Sequence, residues 1–405
     1  MYRKNEFFFK KDEFDNLVNK YHEHYGFKKD ESKFNLIFFE KNILYKNAEN
    51  IFFSNTSILE YCLAFYATKN LELYKILISK ENRILLAREL AFYSGITNDC
   101  TELLNLINND IHNILTSNLE LLNEIEKIDI GIELKIDKEN FEKAIIENRK
   151  SMKEIDDLEN LSVKSEEKTP MEINKINIKD KSESFLDLLS IYGNIIKNAE
   201  TLSKEDKKNH LKSYILGMNF QFSLIIKEFS GYLSAKNKEE LPSEIREKYP
   251  NLTDKEYIKI KNNVIDLLKI FLPIAMQCHI AQNIGTPKLD LVIEELICDS
   301  ENKKFTKFML SFLYCDLGNI KNNKEYLNRY IKKEKSKNIL KLIFFKLNFY
   351  YRMRYFGTDT KIDDIILDLI TEVYLKLNNY ENKYAGRKGI FKQDIKKNLE
   401  TGRLL

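Results

Sequence analysis

The feature that most constrains the fold is the scarcity of residues that interrupt helices. The chain has 5 prolines and 12 glycines in 405 residues. Sheet-rich folds need many tight turns, and those turns depend on glycine and proline. Leu, Ile, Lys and Glu recur throughout the sequence, and they suit helices. The sequence therefore predicts an all-α fold, a helical-repeat array resembling an α-solenoid in two halves.

Residues 1–55 predict a small winged-helix-like unit. In "KKDEFDNLVNKYHEHYG" the apolar positions recur at helical spacing, and "KFNLIFFEKNIL" predicts a second helix. "ILYKNAENIFFS" predicts a short β-hairpin with its turn at Asn47 to Asn50. Two helices followed by a hairpin is the order of elements in a winged helix.

Three further segments complete the predicted domain organisation. Residues 56–152 predict an N-terminal helical domain, whose first helix has a capping-box pattern at Ser57 and Glu60. Residues 153–184 are polar, charged and interrupted by Pro170, and they predict a linker or a mobile insertion. Residues 185–405 predict a C-terminal helical-repeat domain.

Charge and cysteine content give broad limits. The net charge is +3, so overall charge does not point to nucleic acid. No pair among the five cysteines has metal-site spacing, and we expect buried thiols in a reducing compartment. The N-terminus has no signal-peptide pattern, and the uninterrupted apolar runs are shorter than the roughly 20 residues that span a bilayer. We expect a soluble, cytoplasmic protein.

Motifs for catalysis do not emerge from the sequence. It contains no GxxxxGK[ST] and no GxGxxG, which disfavours a phosphate-binding loop. His22 and His24 are two positions apart on a predicted helix and should diverge. We therefore predict no catalytic, cofactor-binding or metal-ligating residues and no cofactor. An enzyme with an unrecognised site, such as a nuclease, stays as a third hypothesis.

A basic and tyrosine-rich stretch between residues 301 and 360 is the main candidate for a binding surface. Cations and aromatic rings together can hold phosphates and stack on bases. The competing interpretation is a solvated face with tyrosines at the edge of the core. The acidic half of the chain upstream could balance its charge in an internal or partner contact. The residues predicted to contact a partner or nucleic acid are Arg329, Lys332, Lys333, Lys335, Lys337, Tyr351, Arg352, Arg354 and Tyr355.

One segment carries a family resemblance. "ENIFFSNTSILEYCLAFYATKN" resembles the end of the winged-helix region of bacterial STAND/NACHT-type NTPases. The positions that match are Phe53, Ser54, Ile58, Glu60, Tyr61 and Ala64. The segments at 88–104 and 280–289 are similar to the helical region that follows in the same proteins. A histidine common in the family segment is replaced here by Ser54 or Asn55.

The resemblance implies a function without an ATPase site in this chain. In that family an effector domain and a P-loop ATPase precede the matched region. The chain is thus similar to the C-terminal helical sensor alone, a recognition module in prokaryotic antiviral defence or a phage-carried inhibitor of such a system. We expect a protein partner (an ATPase, a nuclease or a phage protein), and nucleic acid as the alternative ligand.

Overall fold

The computed structural model describes residues 8–27, 31–97, 99–118, 120, 184–232, 253–379 and 388–400. The predicted linker or insertion at 153–184 therefore lies almost wholly outside the described residues. The chain divides into two compact units. The first comprises residues up to Asn105 together with Asn198–Leu202, and the second comprises Leu106–Lys197 and Ser203–Leu405.

The first unit begins with the predicted helices and hairpin and adds one further strand. Its elements in chain order are β1 (Phe8–Lys10), α1 (Lys11–Tyr25), α2 (Glu31–Glu40), β2 (Leu44–Asn47) and β3 (Asn50–Phe53). The antiparallel sheet has the strand order β1-β3-β2, with Phe8 opposite Phe52 and Leu44 opposite Phe53. Aromatic side chains of β1, α2 and β3 surround a core of Phe14, Val18, Leu44 and Ile51.

Three helices follow in the same unit: α3 (Thr56–Ala67), α4 (Leu71–Ile78) and α5 (Ala87–Ile96). The side chain of Asn55, rather than that of Ser57, caps α3 by accepting a hydrogen bond from the Ser57 amide at 2.8 Å. The N-cap therefore lies two positions before the predicted one, and Glu60 pairs with Arg88 at 3.3 Å. Tyr61 and Phe65 of α3 are exposed.

The second unit is built from helices. Helix α6 (Thr101–Thr116) contributes residues to both units. The others are α7 (Phe185–Asn198), α8 (Lys204–Tyr232), α9 (Asp254–Ile284), α10 (Asp290–Cys298), α11 (Lys304–Tyr314), α12 (Ile320–Lys333), α13 (Lys337–Arg352), α14 (Thr360–Leu377) and α15 (Lys388–Glu400). The all-α fold with a small N-terminal β unit is thus confirmed.

A π-helical turn, Cys315–Asn319, joins α11 to α12. Gly318 adopts φ 89° there, a conformation that costs other residues more than glycine. The chain reverses at this turn, so the start of α11 lies beside the end of α12. The Tyr330 hydroxyl in α12 donates to the Lys304 carbonyl oxygen at 3.0 Å, which fixes that arrangement.

Among the described helices, α9 is long and apolar enough to cross a membrane by length and composition, with a mean hydropathy of 1.6 over an 18-residue window. The core helices of soluble proteins have the same composition, and Ile270, Ile280 and Ile284 of α9 are buried. The expectation of buried cysteines was wrong at two positions. Cys62 and Cys298 are exposed, whereas Cys100 and Cys315 are buried.

Candidate functional site

Many cations of the basic stretch are engaged in internal ion pairs. Lys346 pairs with Asp316 at 3.1 Å and Lys304 with Glu334 at 3.2 Å. Further pairs join Lys321 to Asp359 at 2.9 Å, Lys324 to Asp368 at 3.3 Å and Arg354 to Asp363. Acids within the basic stretch or downstream of it, rather than upstream, therefore balance this part of its charge.

Helix α14 supplies two of these acids, Asp363 and Asp368, and its N-cap Asp359 supplies a third. Lys392 of α15 lies 2.5 Å from Asp364 and 2.7 Å from Asp368, and Lys324 contacts Asp368 from the other side. The side-chain hydrogen bonds from Lys392 and Lys324 lower the pKa of Asp368 and outweigh its partial burial. These cations link α12 and α15 to α14 and have a structural role.

Six other cations of the basic stretch, at residues 301–360, have no ion pair in the structure. They gather where α11 begins, α12 ends and α13 begins, and we call them the cationic end: Lys307, Arg329, Lys332, Lys333, Lys335 and Lys337. Lys307 is half-buried and the others are exposed. Their charge is free to act on a ligand.

A groove of about 420 Å³ opens at the cationic end, and we call it the basic groove. Its lining residues are Ile297, Cys298, Lys304, Lys307, Tyr326, Arg329, Tyr330, Lys333 and Glu334. Four cations thus face a single carboxylate. That carboxylate is 4 % exposed; it pairs with Lys304 and accepts a hydrogen bond from the Ser336 amide at 2.7 Å. The groove therefore favours anions.

Two tyrosines of α12 lie between these cations. The ring centroids of Tyr326 and Tyr330 are 6.0 Å apart, with an angle of 30° between the planes. Tyr326 is half-buried. Because the Tyr330 hydroxyl bonds to the Lys304 carbonyl oxygen of α11, the Tyr330 ring bridges the two helices.

The structure places the predicted contact residues in two different environments. Arg329 and Lys333 line the basic groove, and Lys332, Lys335 and Lys337 are exposed beside it. These five residues lie at the cationic end.

The other four lie near the C-terminal end of α13. Tyr351 is 5 % exposed, and its hydroxyl donates to Glu400 at 3.5 Å. Arg352 is half-buried, and Arg354 is paired with Asp363. Tyr355 is 37 % exposed, with its hydroxyl directed at Asp316. Internal contacts therefore occupy much of this second group.

The groove also contains residues that the sequence-based prediction did not select as contacts: Lys304, Lys307, Tyr326 and Tyr330. A sequence signal for two of them exists. Tyr326, Arg329, Tyr330 and Lys333 are spaced i, i+3, i+4 and i+7, which places them on one flank of a helix. The buried residues Leu327 and Ile331 mark the neighbouring flank, which faces the core.

A second polar cluster is fully buried around Lys346. Its ammonium lies 4.8 Å from the Tyr350 ring centroid, and the Tyr350 hydroxyl donates to Asp316 at 2.6 Å. Burial raises the pKa of the Asp316 carboxyl. The charge of Lys346 and the hydrogen bonds from Tyr350 and Tyr355 reduce this increase. Burial also raises the pKa of the adjacent Cys315 thiol to about 12. The contacts of this cluster fix the turn at 315–319 against α13.

A serine and a histidine also meet in the second unit. Ser190 Oγ lies 3.2 Å from His279 Nε2, but it also donates to the Leu186 carbonyl oxygen at 2.9 Å. The Asn283 side-chain amide donates to the same histidine nitrogen at 3.0 Å. That hydrogen bond occupies the lone pair with which the histidine would activate the serine. Among the described residues, no group of three His, Cys, Asp or Glu could hold a metal ion.

No protein-family model, curated protein or solved structure matches the chain. The resemblance to STAND/NACHT-type NTPases therefore rests on the sequence segments quoted above. The assignment of the cationic end as a candidate site rests on the geometry of α11, α12 and α13.

Proposed function

We propose that the chain is a non-enzymatic helical recognition module of prokaryotic antiviral defence that acts in the cytoplasm. It is the sensor part of a STAND-type system or a phage-carried inhibitor of one, and it works with a protein partner. The observation that carries this proposal is the order of elements in the first unit. The order β1-α1-α2-β2-β3 followed by α3 agrees with the winged-helix region that the family segment resembles.

A pull-down tests the proposal directly. The tagged full chain is recovered from its native host with and without phage infection, and half of each sample is treated with nuclease. The proposal predicts a P-loop ATPase, a nuclease or a phage protein that stays bound after nuclease treatment. Binding of ATP by the purified chain at physiological affinity, measured by isothermal titration, would contradict it.

Nucleic-acid binding is the second candidate function, and the cationic end favours it. Six cations that form no ion pair in the structure lie together, whereas neighbouring cations form ion pairs with acids of α14. Lys and Arg that neutralise phosphates release counterions, so the affinity should fall steeply as salt rises. Changing Lys332, Lys333, Lys335 and Lys337 to Glu should abolish binding in a fluorescence anisotropy titration. Binding that survives this change would remove the candidate.

A further inference from the structure

We infer that the basic groove binds single-stranded nucleic acid in particular. Tyr326 and Tyr330 stack against the bases, and Lys307, Arg329 and Lys333 contact the phosphates. The inference rests on the second candidate function, which it narrows to unpaired strands and to one groove.

The arrangement of α12 supports alternating contacts along a strand. Tyr326, Arg329, Tyr330 and Lys333 share one flank, so rings and cations alternate on the wall of the basic groove. Neighbours at i, i+3 and i, i+4 have Cβ atoms roughly 5–6 Å apart. A nucleotide chain also alternates bases with phosphates, and single-strand grooves combine both kinds of contact.

The Tyr330 ring is held in place before any ligand arrives. Its hydroxyl donates to the Lys304 carbonyl oxygen of α11 at 3.0 Å, and its ring lies 6.0 Å from that of the half-buried Tyr326. Binding at Tyr330 therefore costs little additional side-chain entropy, since immobilising a side chain at an interface otherwise opposes association. The two neighbouring rings offer a platform on which bases can stack.

The polar groups of the basic groove favour phosphates. Lys304 and Glu334 neutralise one another, which leaves Lys307, Arg329 and Lys333 without an ion pair among the described residues. An acidic peptide would satisfy these cations but would offer no planar face to the tyrosines. Duplex DNA hides its base faces within the stack. Unpaired nucleic acid is the ligand that uses both features of the basic groove.

A single introduced tryptophan reports on stacking, because the chain has no tryptophan of its own. In the full chain Tyr330→Trp places the reporter in the basic groove, and Tyr61→Trp on the exposed surface of α3 is the control. Titration with oligothymidine should quench the emission of the Tyr330→Trp protein. The emission of the Tyr61→Trp protein should stay unchanged.

Anisotropy with labelled oligothymidine and a duplex of the same length measures the contribution of the rings. Tyr326→Leu with Tyr330→Leu should weaken single-strand binding about tenfold or more, since stacking contributes roughly 1–3 kcal/mol per base. Tyr326→Phe with Tyr330→Phe keeps the rings and should retain most of the affinity. Duplex binding should change little in either variant.

These measurements distinguish failure of the single-strand site from failure of nucleic-acid binding as a whole. Equal binding of duplex and single strand, unaffected by the Leu changes, would overturn the single-strand site and leave nucleic-acid binding in place. No binding of oligothymidine, duplex or heparin would overturn both. Displacement of oligothymidine by polyglutamate at equal charge concentration would assign the groove to an acidic protein instead.

Discussion

The ammonium of Lys346 lies 3.1 Å from a carboxylate oxygen of Asp316, and both side chains are fully excluded from solvent. The other Asp316 oxygen accepts a hydrogen bond from Tyr350 at 2.6 Å. Thirty residues separate the two partners, so the pair ties the turn between α11 and α12 to α13. The residues of the cationic end lie on the same helices, and this buried pair helps to fix the positions of those helices relative to one another.

Removing one partner of this pair should destabilise the second unit strongly. Lys346→Met leaves the Asp316 carboxylate buried without its counter-charge, a change that typically costs about 3–5 kcal/mol. The double change Lys346→Met with Asp316→Leu should recover much of the loss, because no unpaired charge is then buried. Urea unfolding followed by circular dichroism measures both variants. A single variant as stable as the wild type would contradict the buried pair.

The turn itself depends on glycine. Gly318 has φ 89°, and a Cβ added there meets no atom within 4 Å. Gly318→Ala should therefore destabilise the protein through backbone strain alone, by about 1 kcal/mol. Gly389→Ala is the matched control, because Gly389 lies in α15 with equal space around it. That change should be neutral or slightly stabilising in a thermal melt, and equal effects at both positions would refute the assignment of strain.

Two histidines, the buried His210 and the half-buried His279, predict the pH dependence of stability. Burial lowers the pKa of His210 and of His279 below the ordinary 6.5, and Asp206 partly opposes the shift at His210. As pH falls below about 6.5, the unfolded chain therefore takes up these protons before the folded chain does. The unfolded state binds more protons in this window, so stability should fall as pH falls.

Urea midpoints at pH 7.5 and 5.5 test this pH dependence. Replacing His210 and His279 by Gln should reduce the difference between the two midpoints. The control is His112→Gln, since His112 is exposed and its change should leave the difference as it was. A pH difference that is unaltered in the His210 and His279 variants would show that other groups cause it.

The sequence was enough to predict the all-α class and the hairpin turn at Asn47 to Asn50, because both depend on local periodicity and turn residues. The cap of α3 was misplaced by two positions, since Asn55 and Ser57 are both suitable capping residues. Strand β1 was not predicted. It is three residues long and acquires its strand geometry by pairing with β3.

The candidate site was predicted only in part, because a count of charges along the chain does not reveal their partners. Lys324 and Lys333 look alike in sequence, yet Lys324 meets Asp368 from a position 44 residues away and Lys333 is unpaired in the described structure. Tyr351 and Tyr330 also lie in different environments. Tyr351 is buried against α15, and Tyr330 lines the basic groove. Such distinctions come from tertiary contacts.

The cationic end is the central claim for binding, and the salt dependence of affinity tests it most directly. Single-strand binding has a slope of log K against log salt of about −0.7 for each phosphate neutralised, so six cations predict a slope near −4. Replacing Lys332, Lys333, Lys335 and Lys337 by Gln should reduce that slope to about a third.

The matched control changes four paired lysines, Lys321, Lys324, Lys388 and Lys392, to Gln. It alters net charge by the same amount, but it should lower stability and leave the slope near that of the wild-type chain. Anisotropy titrations of the three proteins with oligothymidine over a salt series give the answer. A steep slope that falls only in the variant of the cationic end is the predicted result. A slope near zero, or an equal fall in both variants, would contradict the account.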